Sequence, residues 1–216
     1  MKILAPTDQS GAVGNLVYTR NRQGTAVRAR VTPLNPQTVA QQTQRSILGA
    51  VASEFRGLTQ LVRNAWAAFA ANLPGNPSAF NAYVRINDTR VTCGDAKLEV
   101  PPPMPAFGII TVTSFTATIA QGVLTLALNG LANTVPPDKY MVYGTAPRSQ
   151  GVSNVSSTYR FLGAFTPATL AAGLTAAYLA KFGQPVASQA VNLKLAPVMS
   201  GVKGIPLAWA AIASGD

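Results

Sequence analysis

The side chains that could perform chemistry in this chain are few and scattered. The sequence contains no histidine, so the commonest acid–base group and the commonest metal ligand are both missing. Its single cysteine, Cys93, excludes an intrachain disulfide and a cysteine-based zinc cluster. Of the seven carboxylates, only Asp95 and Glu99 lie close together in sequence, and both belong to a predicted linker. We therefore predict no catalytic residue, no metal site and no cofactor, and a protein that is not an enzyme.

Basic residues offer a different kind of chemistry. The chain carries 17 Lys and Arg against 7 Asp and Glu, a formal net charge of +10. Four arginines fall within eleven residues that contain no acid: Arg20, Arg22, Arg28 and Arg30. Such a cluster can pair with carboxylates on a partner protein or neutralise phosphates. The arginines are therefore candidate partner-binding residues.

Charge is scarce everywhere else. Charged residues make up 11% of the chain, against roughly 25% in ordinary soluble domains. The remaining surface must consist of Thr, Ser, Asn, Gln, Gly and small apolar residues. A free monomer with such a surface would be poorly solvated, so we expect much of it to face other subunits.

The first half of the chain is typical of a hairpin followed by helices. Val13–Thr19 and Thr25–Val31 are rich in β-formers and flank a turn-prone loop that ends in glycine, which predicts a hairpin. Strand alternation would place Arg28 and Arg30 on one face. Asn35 is the expected N-cap of a first helix that runs to about Arg56. Thr59 and Ser78 are the expected caps of two further helices.

Beyond a proline-rich connector the hydrophobic period changes to two. Six alternating segments between Ile109 and Ile212 predict strands, the first two joined at Gln121-Gly122. Phe161–Ala180 is uncharged and long enough to span a membrane, but its Gly, Pro and Thr residues favour a strand followed by a helix over about Pro167–Lys181. We expect no membrane span and no signal peptide.

These patterns predict an α+β fold. An N-terminal β-hairpin plus helices would precede a C-terminal antiparallel β-sandwich with one inserted helix. The predicted domains are a hairpin and helical anchoring domain at 1–93, a Pro-rich linker at 94–106 and a β-sandwich domain at 107–216.

Several residues of the first half also resemble a known family. They are Gly14-Asn15-Leu16-Val17-Tyr18, Gly24, Val27-Arg28, Arg30, Pro33, Asn35-Pro36-Gln37-Thr38, Gln41, Arg45 and Ala65-Trp66. This pattern is similar to the N-terminal signature of an uncharacterised family encoded in bacteriophage and prophage structural gene clusters. The resemblance covers about residues 11–90, and the segment from Asn35 to Arg45 is its most specific part.

The resemblance implies a structural virion protein, which we expect to be a capsid decoration or cement protein bound to the major capsid lattice. Its partners would be major capsid or tail subunits and further copies of itself, in a virion assembled in the host cytoplasm. Arg20, Arg22, Arg28, Arg30 and Arg45 are the expected partner-binding residues.

Other functions remain open at this stage. A tail or head–tail connector component would use the same surfaces. A nucleic-acid-binding protein would lay the arginine hairpin along phosphates. A carbohydrate or host-adhesion module would stack sugars on aromatic residues of the second half, for which the candidates are Tyr140, Tyr143, Tyr159 and Trp209.

Overall fold

The computed structural model of the chain describes residues 10–21, 24–32, 35–152 and 155–215. The chain divides into two compact units, Met1–Thr43 and Gln44–Asp216. The division of the sequence at a linker over 94–106 remains a prediction.

The first unit contains a three-stranded antiparallel sheet. Its strands are β1 (Gly11–Val13), β2 (Leu16–Asn21) and β3 (Gly24–Ala29), which lie side by side in that order. The predicted hairpin is therefore confirmed as β2 and β3, and β1 is a strand that the sequence pattern did not reveal. Gly14 adopts φ +55° in the turn between β1 and β2, a backbone conformation that glycine favours.

Three helices follow: α1 (Val39–Gly57), α2 (Gln60–Ala71) and α3 (Ala79–Thr92). The predicted caps of α2 and α3 are confirmed, since Thr59 Oγ1 accepts from the Val62 amide and Ser78 Oγ from the Asn81 amide. Asn35 as the cap of α1 is wrong. Gln37 has φ +45°, which breaks the helical backbone, and the Thr38 hydroxyl accepts the Gln41 amide instead, at 3.3 Å.

Aromatic side chains form the core between the helices. The rings of Trp66 and Tyr83 meet edge to face, with centroids 5.2 Å apart, and Phe55 contacts Tyr83 from α1. Val51 and Ile86 are buried beside them. Trp66, Phe69 and Tyr83 are therefore core residues, as their helical spacing predicts, whereas Phe80 is 39% exposed.

The second half of the chain forms a curled sheet with one inserted helix. Its elements in chain order are β4 (Ile110–Thr111), β5 (Ser114–Ala120), β6 (Val123–Asn129), β7 (Ala132–Asn133), β8 (Lys139–Gly144), β9 (Arg160–Phe165), α4 (Leu170–Phe182), β10 (Ala190–Met199), β11 (Val202–Lys203) and β12 (Leu207–Gly215). The main sheet has the order β6-β5-β12-β10-β8-β9, with β11 paired to β10, and β4 pairs with β7 separately. This half-barrel is mixed, because β12 runs parallel to β5.

The α+β class, the order of the elements and the inserted helix are as the sequence predicts. The arrangement of the C-terminal strands differs from two packed antiparallel sheets. The main strands lie in one sheet, and its concave face packs against α4 through Leu170, Leu174 and Tyr178. The helix thus supplies the apolar cover that a second sheet would give.

Helix α4 also protects the edge strand β6. The Leu126 amide donates to the Thr175 hydroxyl of α4 at 3.0 Å. Just beyond α4, the side-chain amide of Gln184 donates to the carbonyl of Gly122, in the turn before β6, at 3.2 Å. An unpaired strand edge is a template for unwanted pairing, so this contact guards the sheet at that side. Within the described part of the chain, no helix is both long and apolar enough to cross a membrane.

Candidate binding surfaces

Most carboxylates of the second unit hold the fold together. Asp95 pairs with Lys139 at 2.7 Å, and Glu54 forms an ion pair with Lys97. Asp138 accepts the Ser200 amide, and Asp88 accepts from the side chain of Gln44. In residues 10–21, 24–32, 35–152 and 155–215 there is no group of three or more His, Cys, Asp or Glu that could hold a metal ion.

Cys93 lies in a packed environment at the end of α3. The residue is buried against Met141, Ala196 and Val198 of the sheet. Burial raises the pKa of its thiol, and the nearby Asp95 carboxylate adds to the rise. The reactive thiolate form is therefore disfavoured, and Cys93 serves as a small core residue.

Ser200 and Lys203 are three residues apart. In a helix this spacing would place both on one face, where a lysine could activate a serine. Here the two residues belong to the tight hairpin between β10 and β11. Ser200 lies in its turn with φ +52°, and Lys203 is paired opposite Val198. The hairpin therefore does not provide the helical geometry that would align the two side chains.

The two predicted partner-binding arginines that lie within strands, Arg20 and Arg28, do not share a face. Arg20 lies opposite Thr25 in the β2–β3 register, whereas Arg28 lies opposite Val17, so Arg20 and Arg28 are on opposite faces of the sheet. Arg30 follows the end of β3, and its amide donates to the Asn15 carbonyl at 2.7 Å. The common face expected for Arg28 and Arg30 remains a prediction, because the strand ends between them.

Two further predicted arginines lie elsewhere. Arg22 lies outside the described residues. Arg45 belongs to the second unit, where it is exposed on α1. The predicted arginines therefore belong to both units. The sheet register fixes the faces of two of them, Arg20 and Arg28.

One face of the N-terminal sheet is apolar, a feature that we call the N-terminal apolar face. Register places Val13, Leu16, Tyr18, Val27 and Ala29 on it together. The exposed fractions of Val13, Leu16 and Val27 are 66%, 41% and 39%. The alternation of β2 and β3 predicts part of this face, but the contribution of β1 requires the structure.

The first unit has no buried residue among those that the structure describes. In residues 10–21, 24–32 and 35–43, whose burial is described except at Asn21, only Val17, Tyr18 and Thr25 are even half-buried. A small sheet needs an apolar face packed against something else to be stable in water. Among these described residues, the N-terminal sheet therefore has no buried core of its own.

The second unit carries an apolar groove of about 720 Å³. Phe107, Ile109, Pro197 and Ile205 are among its lining residues, and Ile109 and Ile205 are largely exposed. Lys203 is the one charged residue among the described residues that line it. Specific small-molecule sites usually add several convergent polar groups to such a pocket, and this groove lacks them.

The aromatic residues considered for sugar stacking do not form one platform. Tyr140 and Trp209 belong to the core on the concave side of the sheet, and Tyr140 is fully buried. Tyr143 packs with Phe161 on the other side. The four aromatics therefore do not share one exposed surface.

Comparison with known proteins adds no constraint, because no protein-family model and no curated protein matches the chain. The function has to be argued from the surfaces. Among these, the N-terminal apolar face is the one that the described part of its own unit leaves uncovered.

Proposed function

We propose that this protein is a structural component of a bacteriophage virion, a capsid decoration protein that docks on the lattice of the major capsid protein. The observation that carries the proposal is the absence of any buried residue in the described part of the N-terminal unit. A sheet without its own core is suited to an element that completes its core on a partner.

The free energy gained by burying the N-terminal apolar face is small, which favours attachment through many copies on one lattice. Full burial of a Val or Leu side chain contributes about 1.5–3 kcal/mol. Val13, Leu16 and Val27 are already partly covered, so their burial together contributes about 2–4 kcal/mol. A millimolar complex needs about 4.1 kcal/mol, so the face alone gives weak binding. Many copies on one lattice, or added ionic contacts, would make the attachment stable.

Charge indicates the chemistry of the partner. Residues 10–43 contain four arginines and no carboxylate. A partner surface with an apolar centre and a carboxylate at its rim would complement Val27 and Leu16 together with Arg20, which lies on the same face. A nucleic acid fits less well, because Arg20 and Arg28 are on opposite faces and phosphates would not cover the apolar side chains.

The proposal is tested on particles of the phage or prophage that encodes the chain. The full-length protein should copurify with them through a density gradient at a fixed ratio to the major capsid protein. The double variant Leu16→Gln/Val27→Gln should lower that ratio at least tenfold, since a loss of about 1.4 kcal/mol is sufficient. The matched control is Ala26→Gln, an exposed position on the opposite face of the same sheet.

Two results would overturn the proposal. One is purified particles without the protein. The other is equal particle binding by wild type and the Leu16→Gln/Val27→Gln variant. A parallel titration of the full-length chain with a short DNA duplex tests the nucleic-acid alternative. Steeply salt-dependent binding that Arg28→Ala weakens, together with absence from particles, would establish that alternative instead.

A further inference from the structure

Asn129 and Gly130 form the one Asn–Gly dipeptide of the chain. The sequence contains twelve asparagines, and each of the other eleven is followed by a residue with a side chain. In an Asn–Gly pair the backbone nitrogen of glycine can attack the side-chain carbonyl of asparagine. Glycine permits this attack because it has no Cβ beside the nitrogen and its backbone is the least restricted. The pair is therefore a candidate site for a chemical modification of the chain itself.

The fold requires glycine at position 130. Gly130 lies in the turn after β6 with φ +63°, a backbone conformation that glycine favours. A Cβ at this position would overlap the Thr113 hydroxyl. The Thr113 amide also donates to the Asn129 carbonyl at 2.9 Å, which holds the turn against the neighbouring strand. Packing therefore keeps the reactive dipeptide in place.

The reacting groups are accessible to water. Asn129 and Gly130 are both exposed, at the end of the edge strand β6. Among the described residues, no acceptor binds the Gly130 amide, so solvent can remove its proton. The Asn129 side-chain amide donates to Ser114 Oγ at 3.2 Å and to Thr116 Oγ1 at 3.4 Å. These two contacts restrain the carboxamide and slow the attack, but they do not bury it.

We propose that Asn129 is a site of spontaneous deamidation in the folded protein. The Gly130 nitrogen gives its proton to solvent and forms a bond to Cγ of Asn129. The bond between Cγ and Nδ2 breaks, and the side-chain nitrogen takes up a proton from water and leaves as ammonia. Water then opens the cyclic imide at either of its carbonyl groups. The product is aspartate or isoaspartate, and the balance is one water consumed and one ammonia released.

The product alters the end of β6. A carboxylate replaces the carboxamide, so the formal net charge of +10 falls by one and the donor to Ser114 and Thr116 is lost. Isoaspartate also routes the main chain through the former side chain, which adds one carbon between residue 129 and Gly130. That change displaces Gly130 from its close packing against Thr113, so we expect a lower thermal midpoint for the converted protein. The inference does not depend on the proposed function.

The test is incubation of the full-length chain at neutral and at mildly alkaline pH, followed by peptide mapping with mass spectrometry. We expect conversion at Asn129 to be at least tenfold faster than at Asn64, an exposed asparagine that is followed by alanine. The rate should rise with pH, because the attacking nitrogen must lose its proton. Isoelectric focusing should show a new form that carries one positive charge less.

Two variants separate the local chemistry from general ageing. Asn129→Gln keeps the carboxamide but requires a larger ring for the attack, so conversion at this position should be lost. The double variant Ser114→Ala/Thr116→Val removes the hydroxyls that restrain the carboxamide and should speed conversion at least fivefold. Circular dichroism establishes that each variant is folded.

Three results would count against the inference. Conversion at Asn129 no faster than at Asn64, or conversion that occurs only in the urea-unfolded chain, would overturn it. A rate that does not rise in the Ser114→Ala/Thr116→Val variant would overturn the role assigned to the two hydroxyls. Each of these results would leave the particle-binding experiment intact.

Discussion

Asn87 should be the polar side chain on which the second unit depends most strongly. It lies on α3, is fully buried, and forms two hydrogen bonds with the backbone of a segment without regular structure. Its amide nitrogen donates to the Leu98 carbonyl at 3.0 Å, and its oxygen accepts the Leu98 amide at 2.7 Å. A single side chain thus replaces the two partners that a strand would give Leu98.

The cost of Asn87→Ala follows from these two bonds. Each hydrogen bond contributes about 1 kcal/mol net, and a buried backbone group left without a partner costs about 1–3 kcal/mol. Leu98 is half-buried, so water can reach part of its backbone after the change. We therefore expect a loss of about 2–4 kcal/mol in the free energy of unfolding, a large share of the roughly 5–15 kcal/mol of a typical domain.

The measurement is urea unfolding followed by tryptophan fluorescence, to which Trp66 and Trp209 both contribute. The Trp66 indole N–H donates to the carbonyl of Glu99, the residue after Leu98, at 2.7 Å. The control is Asn64→Ala, an exposed asparagine on α2, which should change stability by less than about 0.5 kcal/mol. A loss below about 1 kcal/mol for Asn87→Ala would refute the argument, because two buried bonds should cost more than that.

Two further predictions concern the packing of the sheet. Gly201→Ala should destabilise the protein by about 1–2 kcal/mol more than Gly75→Ala. Both glycines have positive φ, but only a Cβ at Gly201 would meet a backbone atom, the Ile86 carbonyl oxygen, at 2.9 Å. Thermal unfolding of both variants measures the difference. Burial raises the pKa of Tyr178 from 10.0 to about 12, so the unfolded chain loses this proton first and stability falls as pH rises from about 10 to about 12. Urea unfolding at several pH values should show a shallower fall for Tyr178→Phe; equal slopes would contradict the assignment.

Local signals in the sequence predicted local structure well. Thr59 and Ser78 cap their helices because each hydroxyl precedes a helical sequence and accepts a backbone amide of the first turn. Gln121 and Gly122, with φ +50° and +76°, form the tight turn that their types predict. Asn35 failed as a cap because the choice between Asn35 and Thr38 depends on the backbone of Gln37, which no propensity specifies.

Contacts between distant residues were beyond the sequence pattern. The proline-rich stretch predicts an extended connector. In the structure, the carbonyls of Leu98 and Glu99, within the predicted linker, accept hydrogen bonds from Asn87 and Trp66 of the helices. The pairing of β12 with β5 joins residues about one hundred positions apart, and alternation alone cannot indicate which strands are neighbours.

The same limit explains the arginines. Strand alternation predicts that Arg28 and Val27 lie on opposite faces. Whether Arg20 shares a face with Arg28 depends on the register between the strands, which pairs Arg20 with Thr25. A shift of one residue would have placed Arg20 on the other side. The sequence thus predicted that this unit is basic, and the structure adds that its apolar residues share one face with only one of the two described strand arginines.

The charge of the N-terminal unit makes its proposed contact sensitive to salt. Residues 10–43 contain four arginines and no carboxylate, so a partner surface that carries carboxylates would attract this unit. Salt should therefore weaken attachment to particles, because it screens the attraction between arginine and carboxylate.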